Sequence, residues 1–193
     1  SAFRAAFAFL FRSCESPLLM PNVIPPVSAF LPLGRASQFA EDIREIINQA
    51  PFFDEMSPEE ILDLCEFMVC YSIRQGGVLI REGDAGDFLI IILTGMVNVV
   101  KEKEDGSRRI LATVGPGATL GEMALVNNDV RFATCIANEQ VDFALIDRNA
   151  LNDILHEHPR LGNKLLLLLL SLMAKRLRDA DIQLVPHLNA VIV

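Results

Sequence analysis

Glu122 and Arg131 are the residues whose types and spacing point most directly to chemistry. They lie in residues 115–134, which read GPGATLGEMALVNNDVRFAT. Glycines close a strand there, and Gly121-Glu122-Met123-Ala124-Leu125 can form one short helical turn. The first N–H groups of such a turn have no partner inside it and make a ready seat for an anion. Arg131 follows Gly121 by ten residues and opens another strand, so a returning loop can bring its guanidinium opposite the same N–H groups. Glu122 would be repelled by a bare phosphate. Beside an anion it makes sense as the acceptor of a hydrogen bond from a hydroxyl of the same ligand. The set asks for a small anion with a neighbouring hydroxyl.

Other reactive side chains form no comparable group. His156 and His158 are two apart at the end of a helix, where i and i+2 do not face together, and the remaining histidine is His187. A cupin-type metal enzyme is therefore not expected, and no metal or cofactor is required. No Ser-His-Asp or Cys-His spacing, P-loop or dinucleotide fingerprint occurs. The four cysteines, Cys14, Cys65, Cys70 and Cys135, form no C-x-x-C pair and read as reduced thiols of a cytoplasmic protein. The chain is read as a binding module, not an enzyme.

These residues need a frame, and the chain divides into segments that supply one. Residues 1–36 are apolar, Phe-rich and then Pro-rich, and read as an arm or linker with little core of its own. Phe3, Phe7 and Phe11, with Arg4 and Arg12, fit an amphipathic helix that packs on the domain or a partner, or a targeting or interfacial segment. Residues 37–68 hold two helices. The first lies near Ser37 to Gln49; the second opens on Ser57-Pro58-Glu59-Glu60, a capping box with Pro at the first helical position.

From 69 to 147 the period changes. Short β-branched runs recur about every 8–12 residues between Gly and Asp turns, which predicts a closed sheet, barrel or jelly roll. The plainest hairpin joins Met96–Lys103 to Arg108–Val114. Residues 148–184 return to helix: a short one near Asn149 to Glu157, a stop at Pro159, then a long one to about Leu184. On the long helix Leu161, Leu165, Leu168 and Leu172 make one apolar stripe. Leu166, Leu170, Met173, Leu177, Ala180 and Leu184 make another, in the four-three rhythm of a coiled-coil seam. Lys164, Lys175 and Arg178 are expected to face water. Two apolar faces want two partners, so one is expected to cover the β domain and the other to form a homodimer. Residues 185–193 are a tail.

The combination G-E-x-A-L, ten residues from Gly121 to Arg131, and R-x-A-T resembles the phosphate-binding cassette of the cyclic-nucleotide-binding domains. That family includes the bacterial cAMP receptor protein, the regulatory subunits of cAMP-dependent protein kinase and cyclic-nucleotide-gated channels. The run REGDAGDFLIIILTGMVNV is similar to the family's barrel strands and their Gly-Asp turn. The resemblance covers about Phe52 to Leu184. It implies a mainly β fold, a jelly-roll (double-stranded β-helix) barrel with two N-terminal helices and a long C-terminal lid or dimer helix. It implies cAMP or cGMP as ligand. Glu122 would accept from the ribose 2′-hydroxyl and Arg131 would pair with the cyclic phosphate. N–H groups around Gly121, Met123, Ala124 and Ala133 would complete the cradle. Base contacts would fall near Ala180 and Asp181. Phe132 departs from the small residue usual in the family, and its ring either closes over the base or fills the pocket. Val130 replaces the family's proline.

Composition narrows the partners. With 17 Lys+Arg against 25 Asp+Glu, a net charge of −8, one Tyr and no Trp, the chain lacks the basic, aromatic surface of a general nucleic-acid binder. Family members that act in transcription carry a helix-turn-helix after the long helix; here about nine residues follow Leu184, so direct DNA binding is not expected unless the chain is a fragment. No stretch is long, apolar and proline-poor enough for a membrane span. The sequence thus leaves two functions open. One is a cyclic-nucleotide sensor whose last helix moves a dimer or a tethered effector. The other is a degenerate fold kept as a dimerisation or protein-interaction scaffold.

Overall fold

The computed structural model describes residues 30–189 except 48–49, 51–52, 54, 104–105 and 128; the side chains of 127, 180–181 and 183–189 also fall outside the description. Strand β1 (Leu31–Arg35) and a 3-10 turn (Ala36–Phe39) lead into helix α1 (Ala40–Ile47) and then α2 (Pro58–Cys65). Strands β2 (Val69–Ile73), β3 (Val78–Ile80), β4 (Phe88–Thr94), β5 (Val97–Glu102), β6 (Arg108–Val114) and β7 (Thr119–Leu120) follow. Helix α3 (Glu122–Asn127) separates β7 from β8 (Thr134–Ala137) and β9 (Val141–Asp147), and α4 (Arg148–Glu157) and α5 (Pro159–Asn189) complete the order.

The strands form two antiparallel sheets, β1-β2-β9-β4-β7 and β3-β8-β5-β6. This is the jelly-roll architecture, but it is not the closed barrel expected from the strand spacing. Among the described residues no ladder joins the sheets, because β3 and β7, at three and two residues, offer too few backbone groups to bridge the edges. The arm also contributes more than expected. Leu31–Arg35 pairs with β2, and Phe30 is buried between the sheets, edge-on to Phe143 at 5.0 Å.

The five-stranded sheet is covered on both faces. Tyr71, Phe88, Ile90 and Phe143 pack inward toward the other sheet. Leu89, Ile91, Ala144 and Ile146 pack outward against Ile43, Ile61, Leu64, Ile154 and Leu165 of the helices. That is why β4, FLIIILT, is a continuous apolar run with no polar alternation. One carboxylate interrupts this layer. Asp142 on β9 accepts from Ser72 Oγ of β2 at 2.6 Å and from Thr94 Oγ1 of β4 at 3.1 Å, pinning three neighbouring strands.

The helices follow their local signals. Ser57 Oγ accepts from the N–H of Glu60, and Glu60 Oε2 accepts from the N–H of Ser57 at 2.7 Å, the reciprocal capping box. Lys164, expected in water, instead donates to Glu60 Oε2 at 2.6 Å, and this tie holds the foot of α5 to α2. Leu161, Leu165 and Leu168 of the first stripe are buried, whereas Leu170 and Leu177 of the second are 59% and 65% exposed. The two stripes of α5 therefore have different surroundings. The helix runs on to Asn189, beyond the expected end near Leu184.

Candidate functional site

Arg131 enters the space between the sheets with 4% of its surface exposed. Its backbone is fixed first: its N–H donates to Asp84 O at 2.8 Å, and its carbonyl accepts from Gly83 N at 2.9 Å. The side chain then donates from Nη1 to Gly121 O at 2.8 Å and from Nη2 to Phe88 O at 2.9 Å, with Cζ 4.3 Å from the centre of the Phe88 ring. Two glycines make room for it. A Cβ on Gly86 would lie 1.9 Å from Arg131 Nε, and one on Gly121, whose φ is +84°, would lie 2.4 Å from Nη1. Burial pulls the guanidinium below its ordinary pKa, and Asp87 is the chief carboxylate opposing that shift.

Glu122, the first residue of α3, is fully buried. Its Oε1 is held by Nη1 of Arg176 on α5, whose Nη2 donates to Thr119 O at 2.8 Å. Its Oε2 is buried with no hydrogen-bond partner among the described residues. An unmet buried carboxylate oxygen costs free energy that a donor from a ligand would recover.

The remaining candidates occupy distinct places. Ala124 is buried, and its carbonyl accepts from Arg148 Nη2 at 2.9 Å, tying the cradle helix to the start of α4. Ala133 is buried, while Met123 is exposed on the outer side of α3. Phe132 does not fill the site. It lies in the bend before β8, where its ring is 61% exposed with Lys101 Nζ 4.2 Å from its centre. Ala180 and Asp181 lie on α5 with side chains outside the description.

Beside Arg131, the inner faces of β8, β5 and β6 continue as an apolar row. Cys135 pairs with Val99, and Val99 pairs with Ala112. Cys135 is in the inter-sheet core and Val99 packs against it, whereas β6 is exposed from Arg108 to Thr113. The row ends in open apolar surface at Leu111 and Ala112.

Arg176 was missed by reasoning from sequence. The signal was present, because Arg176 stands four residues after Leu172 and extends the domain-facing stripe. Its partner lies 54 residues away, and helix periodicity cannot supply that. Two of the histidines have local partners. His156 Nδ1 lies 2.7 Å from Asn152 O, and His158 packs edge-on to Phe67. Among the described residues no three His, Cys, Asp or Glu side chains are grouped to hold a metal ion, and no helix is long and apolar enough to cross a membrane.

The comparisons with known proteins bear on this same segment. The family model of the cyclic nucleotide-binding domain matches residues 71–158, a span that holds both Glu122 and Arg131. A cyclic nucleotide-binding domain from Methylobacillus flagellatus, known from its crystal structure, is 39% identical with a TM-score of 0.74, over 83% of this chain and 90% of that one. The cyclic AMP receptor protein of Thermus thermophilus is 30% identical over 135 residues, 70% of this chain and 61% of its own length. The regulatory domain of Toxoplasma gondii PKA, crystallised with cAMP, is 31% identical with a TM-score of 0.54, over 61% of this chain and 44% of that one. The chain thus spans about six-tenths of the curated receptor and under half of the PKA chain. The matched family is a regulatory binding family and not a catalytic one. With strands β3 to β9, the glycine-lined arginine seat and the buried glutamate all inside the matched span, the chain belongs to the cyclic nucleotide-binding domain family.

Proposed function

We propose that this chain is a regulatory module that senses a cyclic nucleotide, cAMP or cGMP, between Glu122 and Arg131 and answers by moving α5. The observation that carries the reading is a buried arginine facing inward beside a buried glutamate with one oxygen unpartnered. A guanidinium has five N–H donors, and Gly121 and Phe88 use two of those on Arg131, which leaves donors for a phosphate. A ribose 2′-hydroxyl can donate to Glu122 Oε2. Charge-assisted hydrogen bonds of this kind contribute about 1.5–3 kcal/mol each, enough in combination for micromolar binding. The base lies along Val99, Leu111 and Ala112, which offer it no polar side chain. Discrimination between adenine and guanine then falls to α5, where Asp181 can accept from an amino group and Ala180 cannot.

Motion follows from shared use of Glu122. The carboxylate that meets the sugar is the one that holds Arg176, so a ligand changes the tie between the cradle and α5. The exposed stripe of α5 gives that change an audience, a second copy of the chain or a tethered effector. No metal is needed for the anion seat, because arginine and backbone N–H groups supply its donors. Relatives whose names describe a cyclic AMP receptor and a cAMP-bound regulatory domain support the choice of ligand.

Calorimetric titration with cAMP and cGMP side by side tests the reading, with a dissociation constant in the micromolar range expected for at least one. No heat at millimolar ligand would remove it. The second reading, a scaffold without ligand, is favoured by the carbonyl partners that Arg131 already has and by the uncovered stripe of α5. It predicts dimerisation that is indifferent to nucleotide.

A further inference from the structure

The rim of the cradle carries a second set of contacts, centred on Lys101. Lys101, near the end of β5, gives one ammonium three contacts. It donates to Phe132 O at 2.7 Å, it pairs with Glu82 Oε1 at 2.8 Å, and it sits over the Phe132 ring. Glu82 is itself bound on both sides. Its Oε2 accepts from Glu102 N at 3.4 Å, and its own N–H donates to Thr134 Oγ1 at 3.0 Å. Lys101 therefore ties β5 to two segments at once, the loop after β3 and the chain entering β8.

Those two segments carry Arg131. The loop holds its backbone through Asp84 O and Gly83 N, and Phe132 is its neighbour in the chain. Inside, the guanidinium lies between Gly86 and Gly121, where even an added methyl group would collide with it. A seat with so little slack accepts the side chain over a narrow range of backbone rotation. Phe132 O and the Phe132 ring are the handles by which that rotation is held from β5.

We propose that Lys101 is a positioning residue that aims Arg131 into its seat through its grip on Phe132 and Glu82. The proposal rests on the reading of Arg131 as the phosphate-binding group, but the aim of the guanidinium can be measured without ligand. Lys101→Met keeps the stem and removes the charge; Lys101→Arg keeps a long cation able to reach the same partners. In nitrogen-15 spectra of the ligand-free protein, the Arg131 Nε–H resonance is expected sharp and slow to exchange in the wild type and in Lys101→Arg. It is expected broadened or lost in Lys101→Met. Thermal midpoints should stay close together, because the lysine is partly exposed and its pairing is screened. With cAMP or cGMP, Lys101→Met should bind about fivefold more weakly, a loss of the size that one exposed cation–π contact allows. Lys101→Arg should recover it. An Arg131 Nε–H signal unchanged in Lys101→Met overturns the proposal, and so does an equal loss in both variants. A wild type that binds neither nucleotide would instead remove the sensing function, and the resonance would still decide the role of Lys101.

Discussion

Arg131 is held before any ligand arrives. Two carbonyls, one aromatic face and two glycines shape its seat, so its deletion should be costly in binding and visible in stability. Arg131→Ala is expected to weaken cyclic-nucleotide binding by more than about a hundredfold, corresponding to ~3–5 kcal/mol for a buried charged contact. Competition binding with a fluorescent nucleotide measures this, and a loss below tenfold would show that the phosphate lies elsewhere. The thiols give a second prediction. Burial pushes Cys65, Cys70 and Cys135 from the ordinary value of 9.0 up to about 12. A thiol whose pKa is higher folded than unfolded contributes stability that is complete below pH ~9 and is lost as pH rises toward the folded value. Urea midpoints should therefore fall between pH 8 and pH 11, and a maleimide at pH 8 should label these three only in urea. Rapid labelling of the folded protein would contradict the burial.

Among the elements, β9 bears the most. It lies between β2 and β4, both its faces are covered, and Asp142 joins it to both neighbours through hydroxyls. Asp142→Ala should destabilise the fold by about 2–4 kcal/mol, since hydrogen bonds to a charged group contribute ~1.5–3 kcal/mol each and both are lost together. Urea unfolding reads the loss; nucleotide affinity of the fraction still folded should not change. Hairpin β5–β6 and the α2 capping box were legible in sequence because turn residues and caps act over three or four positions. The open edge at β6 was not. Ile110 and Leu111 look like core residues by type, yet both are exposed, because strand order places β6 last in its sheet.

For the molecule as a whole, α5 is the element that touches both the candidate site and the helical layer. Two polar ties hold it, Lys164 to Glu60 at its foot and Arg176 to Glu122 beside the cradle. They lie twelve residues apart, about 18 Å along the axis at ~1.5 Å per residue. Arg176→Met should speed hydrogen exchange in α5 after Leu172 while leaving the buried turn from Leu161 to Leu168 protected. Saturating nucleotide should alter the same distal amides. Mass-resolved exchange measures both, and uniform change along α5 would contradict a tie at Arg176. The uncovered seam predicts self-association: sedimentation should give a dimer for the wild type and a monomer for Leu177→Lys.

By itself the sequence determined what is local. Spacing from Gly121 to Arg131 marked a candidate anion seat, two apolar stripes marked a helix with two surroundings, and glycine turns marked short antiparallel strands. Tertiary structure alone decided which distant groups meet. Arg176 reaches Glu122, Lys101 grips Phe132, Lys164 caps onto Glu60, and the last part of the arm becomes a strand. The reason is physical: turn chemistry and periodicity act between residues a few positions apart. The partner of a buried charge depends on how whole helices and sheets cross, and neighbouring residues do not encode that crossing.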